Sequence, residues 1–303
     1  MTIFLCVIGV LGVAASGPIM AATAAPALVI AFWRNAFGAV LMGAPAVVGR
    51  RGEFASLKGQ DYRRLVIAAV ALALHFACFI TALKLTSVAA ATALVCLQVA
   101  WVALFSAIRG NRPAPAVVAG LTVALAGVVV ITGFDLTLSS DAIMGDLLAV
   151  AGGAFAAVYM MAGAELRRTL STGTYTTLCF GGCAAVLLGM CLAFRQPLVD
   201  FPPLAWVGII GVTIVAQLIG HAVFNHLLAI ISPLVVSMII LLEIPGATIL
   251  AAVFLGEQLP AGTYVGLALI LAGLAVVVRG QGRRRRADVA PEDAAQPPAL
   301  GGT

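Results

Sequence analysis

Long apolar runs separated by short polar connections recur along the whole chain. Each run approaches or exceeds the roughly 20 residues that carry an α-helix across a bilayer, and none shows the period-two alternation of a membrane β-barrel strand. The pattern predicts an all-α polytopic membrane protein with ten transmembrane helices. The predicted segments are 3–24, 27–48, 65–84, 88–108, 115–133, 143–163, 175–194, 204–230, 233–255 and 263–279.

The two halves of the chain share a residue pattern at a shift of 145, which becomes 146 after one inserted residue. The shift spans five predicted helices, an odd number, so the halves are predicted to lie in the membrane with opposite orientations. The sequence therefore predicts two inverted five-helix repeats, at 1–140 and 141–280. The matched pairs include Phe79 with Phe224, Leu83 with Leu228, Ser87 with Ser232, Leu97 with Leu242, Gly120 with Gly266, and Gly127 with Gly273.

Charged residues are scarce and unevenly distributed. They make up 10% of the chain, against 62% hydrophobic residues, whereas a soluble domain carries about 25% charged residues. With the N-terminus inside, fourteen of the 17 Lys and Arg residues fall in cytoplasmic segments. This bias predicts an inner-membrane protein with both termini in the cytoplasm. The net charge of +5 is then explained by the membrane topology and does not indicate nucleic-acid binding.

The two ends of the chain have distinct compositions. Segment 281–303 begins with an arginine cluster and continues in Ala, Pro, Asp, Glu and Gly, which predicts a disordered cytoplasmic tail. The first apolar segment resembles a signal peptide, with a cleavable-looking Ala22-Thr23-Ala24. It lacks a basic leading stretch, so we expect a retained first helix, with removal as the alternative.

Polar residues inside the predicted helices mark the candidate transport site, because a buried charge costs about 2.5–3.5 kcal/mol on insertion scales. Glu243 lies at the middle of the ninth helix, and Pro245 is expected to open that helix locally. Its repeat partner Gln98 lies at the middle of the fourth helix, so the two are predicted to face each other across a central cavity. Apolar surroundings disfavour a charged carboxyl, which makes Glu243 the proton-coupling candidate. The alternative is a protonated Glu243 bonded to a neighbouring helix.

Further polar residues are candidates for the same cavity. Gln217, His221 and Asn225 follow one another at a spacing of four, which places them on one face of an ordinary α-helix. We predict a water-accessible stripe, with hydrogen bonding between helices as the alternative. The other candidates for the cavity wall, each with helix packing as the alternative, are His75, Tyr159 and Trp101.

Other intramembrane residues are assigned to structure. Arg34, in the second helix, is expected to reach outward or to bind helix-end carbonyls. The six cysteines fall inside predicted helices without His or carboxylate neighbours, so no metal site is predicted. No hydrolase, phosphate-loop or metalloprotease motif is present, and we expect neither an enzyme nor a cofactor.

Several stretches resemble the EamA-type carriers of the drug/metabolite transporter superfamily. They are Ala31-Phe32-Trp33-Arg34 within 26–42, Leu242-Glu243-Ile244-Pro245 with the later Gly256-Glu257, and the helix 266–273. The chain departs from that family at Arg109-Gly110-Asn111-Arg112, where a second Gly-Glu pair is common, and at Ala15-Ser16-Gly17-Pro18 in place of a Trp-Gly pair. The resemblance implies an exporter of amino acids, metabolites or drugs.

The repeat and the polar residues predict a secondary active transporter of a small organic solute, working by alternating access and coupled to protons through Glu243. The alternative is a non-transporting membrane protein, such as a receptor or an assembly factor. The expected partners are the solute, protons and membrane lipid, with no nucleic acid. A homodimer is left open.

Overall fold

The described chain consists of helices joined by short connections. The computed structural model describes residues 1–134, 139–258 and 261–288. A π-helical segment, Thr213–His221, joins α11 to α12. The α-helices are α1 (Thr2–Ala14), α2 (Ser16–Ala22), α3 (Ala27–Gly49), α4 (Arg51–Ala55), α5 (Gly59–Leu85), α6 (Val88–Val95), α7 (Gln98–Ile108), α8 (Pro115–Phe134), α9 (Ser140–Leu166), α10 (Thr172–Ala193), α11 (Pro203–Val212), α12 (Ala222–Leu227), α13 (Pro233–Ile240), α14 (Glu243–Leu255) and α15 (Ala261–Asp288).

Within the described ranges, eight helical units are long and apolar enough to cross a membrane. Shorter apolar helices cover Pro115–Ile131 and Ala261–Val277. The prediction of an all-helical, multi-pass membrane protein is therefore confirmed, and the described residues hold eight long and two shorter apolar helices where the sequence predicted ten transmembrane helices. The long units are Thr2–Ala22, Ala27–Gly49, Gly59–Leu85, Val88–Ile108, Ser140–Leu166, Thr172–Ala193, Pro203–Leu227 and Pro233–Leu255.

The segment predicted as a disordered tail is helical where it begins. Helix α15 continues to Asp288, past the predicted boundary at 280. The remainder of the predicted tail, 289–303, lies outside the described residues.

Helices α8 and α15 cross antiparallel through close glycine contacts. A Cβ placed on Gly127 would lie 2.5 Å from the carbonyl oxygen of Gly266, and one on Gly266 would lie 2.6 Å from the carbonyl oxygen of Gly127. Gly120 and Gly273 contact each other in the same reciprocal way. Only glycine allows two helix backbones to approach so closely. The glycines that repeat in the sequence are thus those that meet in space.

Counted in chain order with the two shorter helices included, the fourth membrane unit is Val88–Ile108, the eighth is Pro203–Leu227 and the ninth is Pro233–Leu255. The fourth and ninth units are both interrupted near their middle. The bounds of α6 and α13, and the first residues of α7 and α14, coincide at the repeat shift of 145. Ser87 and Ser232 begin the two units as N-caps, each accepting a backbone N–H of the first turn. In space α6 packs on α14 and α7 packs on α13. The two interrupted units therefore cross each other at their interruptions.

The interruption before Glu243 lies about one turn ahead of Pro245, where the sequence predicted that the helix opens. The first repeat is interrupted at the same place, before Gln98, although Ala100 occupies the position equivalent to Pro245. Pro245 lies in the first turn of α14, where a missing N–H leaves no helical hydrogen bond unmade. The break is a feature of both repeats, and the proline is compatible with it.

The end of the ninth unit is tied to the start of the fourth. Gly256 ends α14 with a φ of 69°, in the left-handed region that glycine enters at little cost. The carboxylate of Glu257 then accepts the N–H of Val88 at 2.9 Å. In the first repeat Asn111 stands in place of Glu257, and the matching helix begins at Pro233, which has no N–H to donate. This explains why the Gly-Glu pair is needed only once.

Replacing Glu257 by alanine is expected to lower the free energy of unfolding by about 1 kcal/mol, because an N-terminal helix N–H loses its acceptor. Asn111→Ala is the matched control and should change it by less than about 0.5 kcal/mol. Thermal unfolding of both variants in detergent measures the difference. A larger loss for Asn111→Ala than for Glu257→Ala would contradict this assignment.

Candidate transport site

A small, largely enclosed cavity lies where the two interrupted units cross. Its volume is about 40 Å³, room for a few water molecules and too little for an organic solute. Gln98 and Glu243 both line it, and each is the first residue of its half-helix. The further polar residues in its wall are Ser16, Arg34, His75, Tyr159, His221 and Asn225.

Glu243 is held between two opposing influences. It is 7% exposed, and burial disfavours a carboxylate. The N-terminus of α14, at which it lies, favours negative charge, as does the guanidinium of Arg34 in the same cavity wall. Burial therefore favours the protonated form of Glu243, whereas the helix terminus and Arg34 favour the charged form.

Arg34 is fully buried in the cavity wall. Its Nε donates to Oε1 of Gln217 at 2.8 Å, and Nε2 of Gln217 donates to Oδ1 of Asn35 at 2.9 Å. The guanidinium carbon lies 4.2 Å from the ring centroid of Phe76, and Nη2 makes no hydrogen bond. The expectation that Arg34 reaches outward or binds helix-end carbonyls is wrong. Its guanidinium instead contacts the side-chain amide of Gln217 and the ring of Phe76 inside the bundle.

The polar stripe of the eighth unit lies only partly at the cavity. His221 and Asn225 line the cavity, whereas Gln217 is buried beside Arg34 and is absent from the wall. The segment Thr213–His221 is π-helical, and its wider turn changes which residues share a face. The four-residue spacing of an ordinary α-helix, assumed for the sequence, therefore does not hold over part of this stretch. Gln217 accepts a hydrogen bond from Arg34 and does not line the cavity.

Tyr159 and His75 lie in the cavity wall, as expected of candidates for it. The hydroxyl of Tyr159 donates to Oδ1 of Asn225 at 2.6 Å. Nδ1 of His75 donates to the carbonyl of Gly152 at 3.0 Å, and its ring lies 6.4 Å from that of His221. These contacts link helices of both repeats around the cavity.

Trp101 lies away from the cavity, in contrast to its predicted place in the wall. Its ring contacts that of Phe105, one turn further along α7, with 5.9 Å between the centroids. Sequence reasoning also missed several residues of the wall, among them Ser16 and Phe76. Ser16 begins α2 after the break at Ala15, and the neighbouring Gly17-Pro18 was the available signal. Phe76 gave no signal of its own.

Polar contacts also join the helix ends nearest Asn225. Nε of Arg167 donates to the backbone carbonyl of Asn225, and Nη2 of Arg167 donates to Oγ1 of Thr172, both at 2.8 Å. Close by, Glu53 accepts the N–H of Ser171 at 2.9 Å. Asn225 therefore contacts Tyr159 in the cavity through its side chain and Arg167 through its backbone.

The carboxyl of Glu53 gives this end of the fold a dependence on pH. Partial burial acts in the opposite direction, but hydrogen bonds from Ser171 and Arg50 lower the pKa of Glu53 to about 2. A lowered pKa means that its stabilisation is present above the ordinary value near 4.5 and is lost as the pH falls toward 2. The difference in melting temperature between wild type and Glu53→Gln should shrink between pH 7 and pH 3. An equal difference at both values would contradict this, and the exposed Asp200→Asn is the control.

Comparison with known proteins decides the family. The profile of the EamA-like transporter family matches residues 1–133 and 143–279. The chain belongs to this family. The two matched stretches correspond to the two repeats, so the resemblance found in the sequence is confirmed, and the protein is a multi-pass integral membrane protein with a two-repeat EamA architecture.

Solved structures share the fold of this EamA-family protein. One crystal structure, described only as that of a protein, superposes with a TM-score of 0.74 over 93% of this chain and 98% of its own. The two sequences are 21% identical, so the likeness concerns the fold alone. No curated protein matches the sequence.

Proposed function

We propose that this EamA-family protein is a secondary active transporter that exports a small organic solute by alternating access, driven by the proton gradient. The observation that carries the proposal is the polar cavity at the crossing of two interrupted helices, with Gln98 and Glu243 at equivalent half-helix starts. Half-helix ends at a repeat interface are a common form of solute and ion site in transporters.

The proposal includes two repeats of opposite orientation in the inner membrane, with both termini in the cytoplasm. The reciprocal crossing of α8 with α15 supports a two-fold relation in the membrane plane, since each glycine contact maps onto the other under the repeat shift. The packing of α6 on α14 and of α7 on α13 supports the same relation. The distribution of arginine and lysine supports the orientation.

Alternating access requires that the closed cavity open toward one side at a time. On the proposed outer side, Nζ of Lys84 donates to the carbonyls of Met20, Ala21 and Thr23 at 2.9, 3.0 and 2.7 Å. On the proposed inner side, Arg167 holds the backbone of Asn225. We assign these two sets of contacts as the outer and inner gates.

The chemistry of the cavity favours a solute with both polar and apolar groups. Nη2 of Arg34 and Nδ2 of Asn225 are buried donors without a partner, and Glu243 offers an acceptor. Phe76 and Phe79 supply aromatic surface in the same wall. Amino acids, other metabolites and amphipathic drugs have such groups, and a solute that binds both donors would compensate their burial.

The competing proposal is a membrane protein without transport, such as a receptor or an assembly factor. Solute flux in proteoliposomes separates the two, with amino acids, nucleobases and cationic drugs as the panel and empty liposomes as the control. Uptake above the control that depends on an imposed pH gradient is the expected result. Absence of flux across the whole panel would favour the competing proposal.

A further inference from the structure

A second, larger pocket lies outside the transport cavity, between the ends of α5, α7 and α9. Its volume is about 590 Å³. Arg63 and Arg64 of α5 and Arg109, which follows α7, form its polar side, together with Glu165 of α9. The apolar side is formed by Ile67, Phe105, Ile108, Val158 and Met161.

The three arginines carry uncompensated positive charge. Glu165 is the acidic residue of this wall, and its carboxylate is paired with Arg168 at 3.1 Å. Among the contacts of the described residues, none joins Arg63, Arg64 or Arg109 to a carboxylate. A neighbouring pocket of about 380 Å³ shares Arg109 and adds Arg112, so the positive surface continues past the pocket.

The pocket is amphipathic along the direction of the helices. Arg64 precedes Ile67 by about one turn of α5, and Arg109 follows directly on Ile108. Ile67 and Ile108 are 43% and 73% exposed, which places exposed apolar side chains beside the cations. In a membrane, this is the depth at which headgroup phosphates meet acyl chains.

We propose that this pocket binds an anionic phospholipid, with its phosphate among Arg63, Arg64 and Arg109 and its acyl chains along Ile67 and Ile108. The positive-inside bias accounts for arginines on this side of the membrane but not for three of them around one pocket with an apolar side. A free anion would use the arginines and leave the apolar side uncovered. The inference is independent of the proposed transport activity.

Native mass spectrometry of the full chain, released from bilayers of phosphatidylcholine and phosphatidylglycerol, tests the proposal. Wild type should retain phosphatidylglycerol in preference to phosphatidylcholine. Replacing Arg63, Arg64 and Arg109 by glutamine should weaken that retention at least about tenfold. The control variant replaces Arg51, Lys58 and Arg279, which lie outside the pocket, by glutamine in the same way. This variant should retain phosphatidylglycerol as wild type does.

The control also removes the same number of positive charges, so it reveals any general effect on insertion. Replacing the three pocket arginines by lysine keeps the charge and should preserve the preference. Equal loss in pocket and control variants, or no preference in wild type, would overturn the proposal. Displacement of the lipid by inorganic phosphate would overturn it as well, in favour of a free anion. If the triple variant does not fold, Arg109→Gln is compared with Arg51→Gln. An equal loss of lipid retention in these two variants would likewise overturn the proposal.

Discussion

Glu243→Gln is expected to abolish solute accumulation driven by a pH gradient while leaving solute exchange across the membrane intact. Glutamine keeps the size of the side chain and much of its hydrogen bonding, but it cannot bind or release a proton. The variant should therefore resemble a permanently protonated site, which can still carry solute from one side to the other. Accumulation by proteoliposomes under an imposed pH gradient, and exchange without one, are the two measurements.

The matched control is Glu257→Gln, which changes another carboxyl of the same segment outside the cavity. Glu257 accepts the N–H of Val88 at a helix start, so this variant should lose some stability and keep its coupling to the gradient. If Glu243→Gln accumulates solute as wild type does, Glu243 is not the coupling group. His221, which also lines the cavity, would then be the next candidate.

Gly127→Leu should destabilise the protein strongly, by about 1–3 kcal/mol or more. A Cβ at this position would lie 2.5 Å from the carbonyl oxygen of Gly266, a backbone atom that cannot rotate away. Helices α8 and α15 would have to separate to admit the larger side chain. The fraction of protein that stays monodisperse in detergent after heating measures the effect.

Gly189→Leu is the control for this substitution. Gly189 also lies inside a helix, α10, and a Cβ there meets nothing within 4 Å. Both variants carry the same change in helix propensity, so only Gly127→Leu should show the additional loss. Equal losses would mean that the close approach of α8 and α15 does not limit stability.

The repeat in the sequence predicted the parts of the site that obey symmetry. Gln98 and Glu243 were paired by their equivalent positions, and both line the cavity. The break before Glu243 had a signal in the sequence, Pro245, one turn further along the helix. The equivalent break before Gln98 had none, because Ala100 stands at the position equivalent to Pro245.

Contacts between distant parts of the chain could not be predicted. Arg34 is held by Gln217, 183 residues away in the sequence, and helix periodicity says nothing about that pairing. The π-helical segment Thr213–His221 has no distinctive composition, so nothing in the sequence predicted it. The four-residue spacing of an ordinary α-helix was assumed instead, and it placed Gln217 at the cavity wrongly. Trp101 was misplaced because a ring of its size suits packing and pocket walls equally well.

Access to the cavity from both sides of the membrane tests the proposal of alternating access most directly. Ser16 lines the cavity, and Ser16→Cys is a small change that can be made in a background without the six native cysteines. Ser106→Cys, near the proposed cytoplasmic surface, is the control for one-sided access. The account predicts that an impermeant thiol reagent labels Ser16→Cys from either face of sealed vesicles, and Ser106→Cys from the cytoplasmic face alone. Labelling of Ser16→Cys from one face only, in vesicles that carry out solute flux, would contradict it.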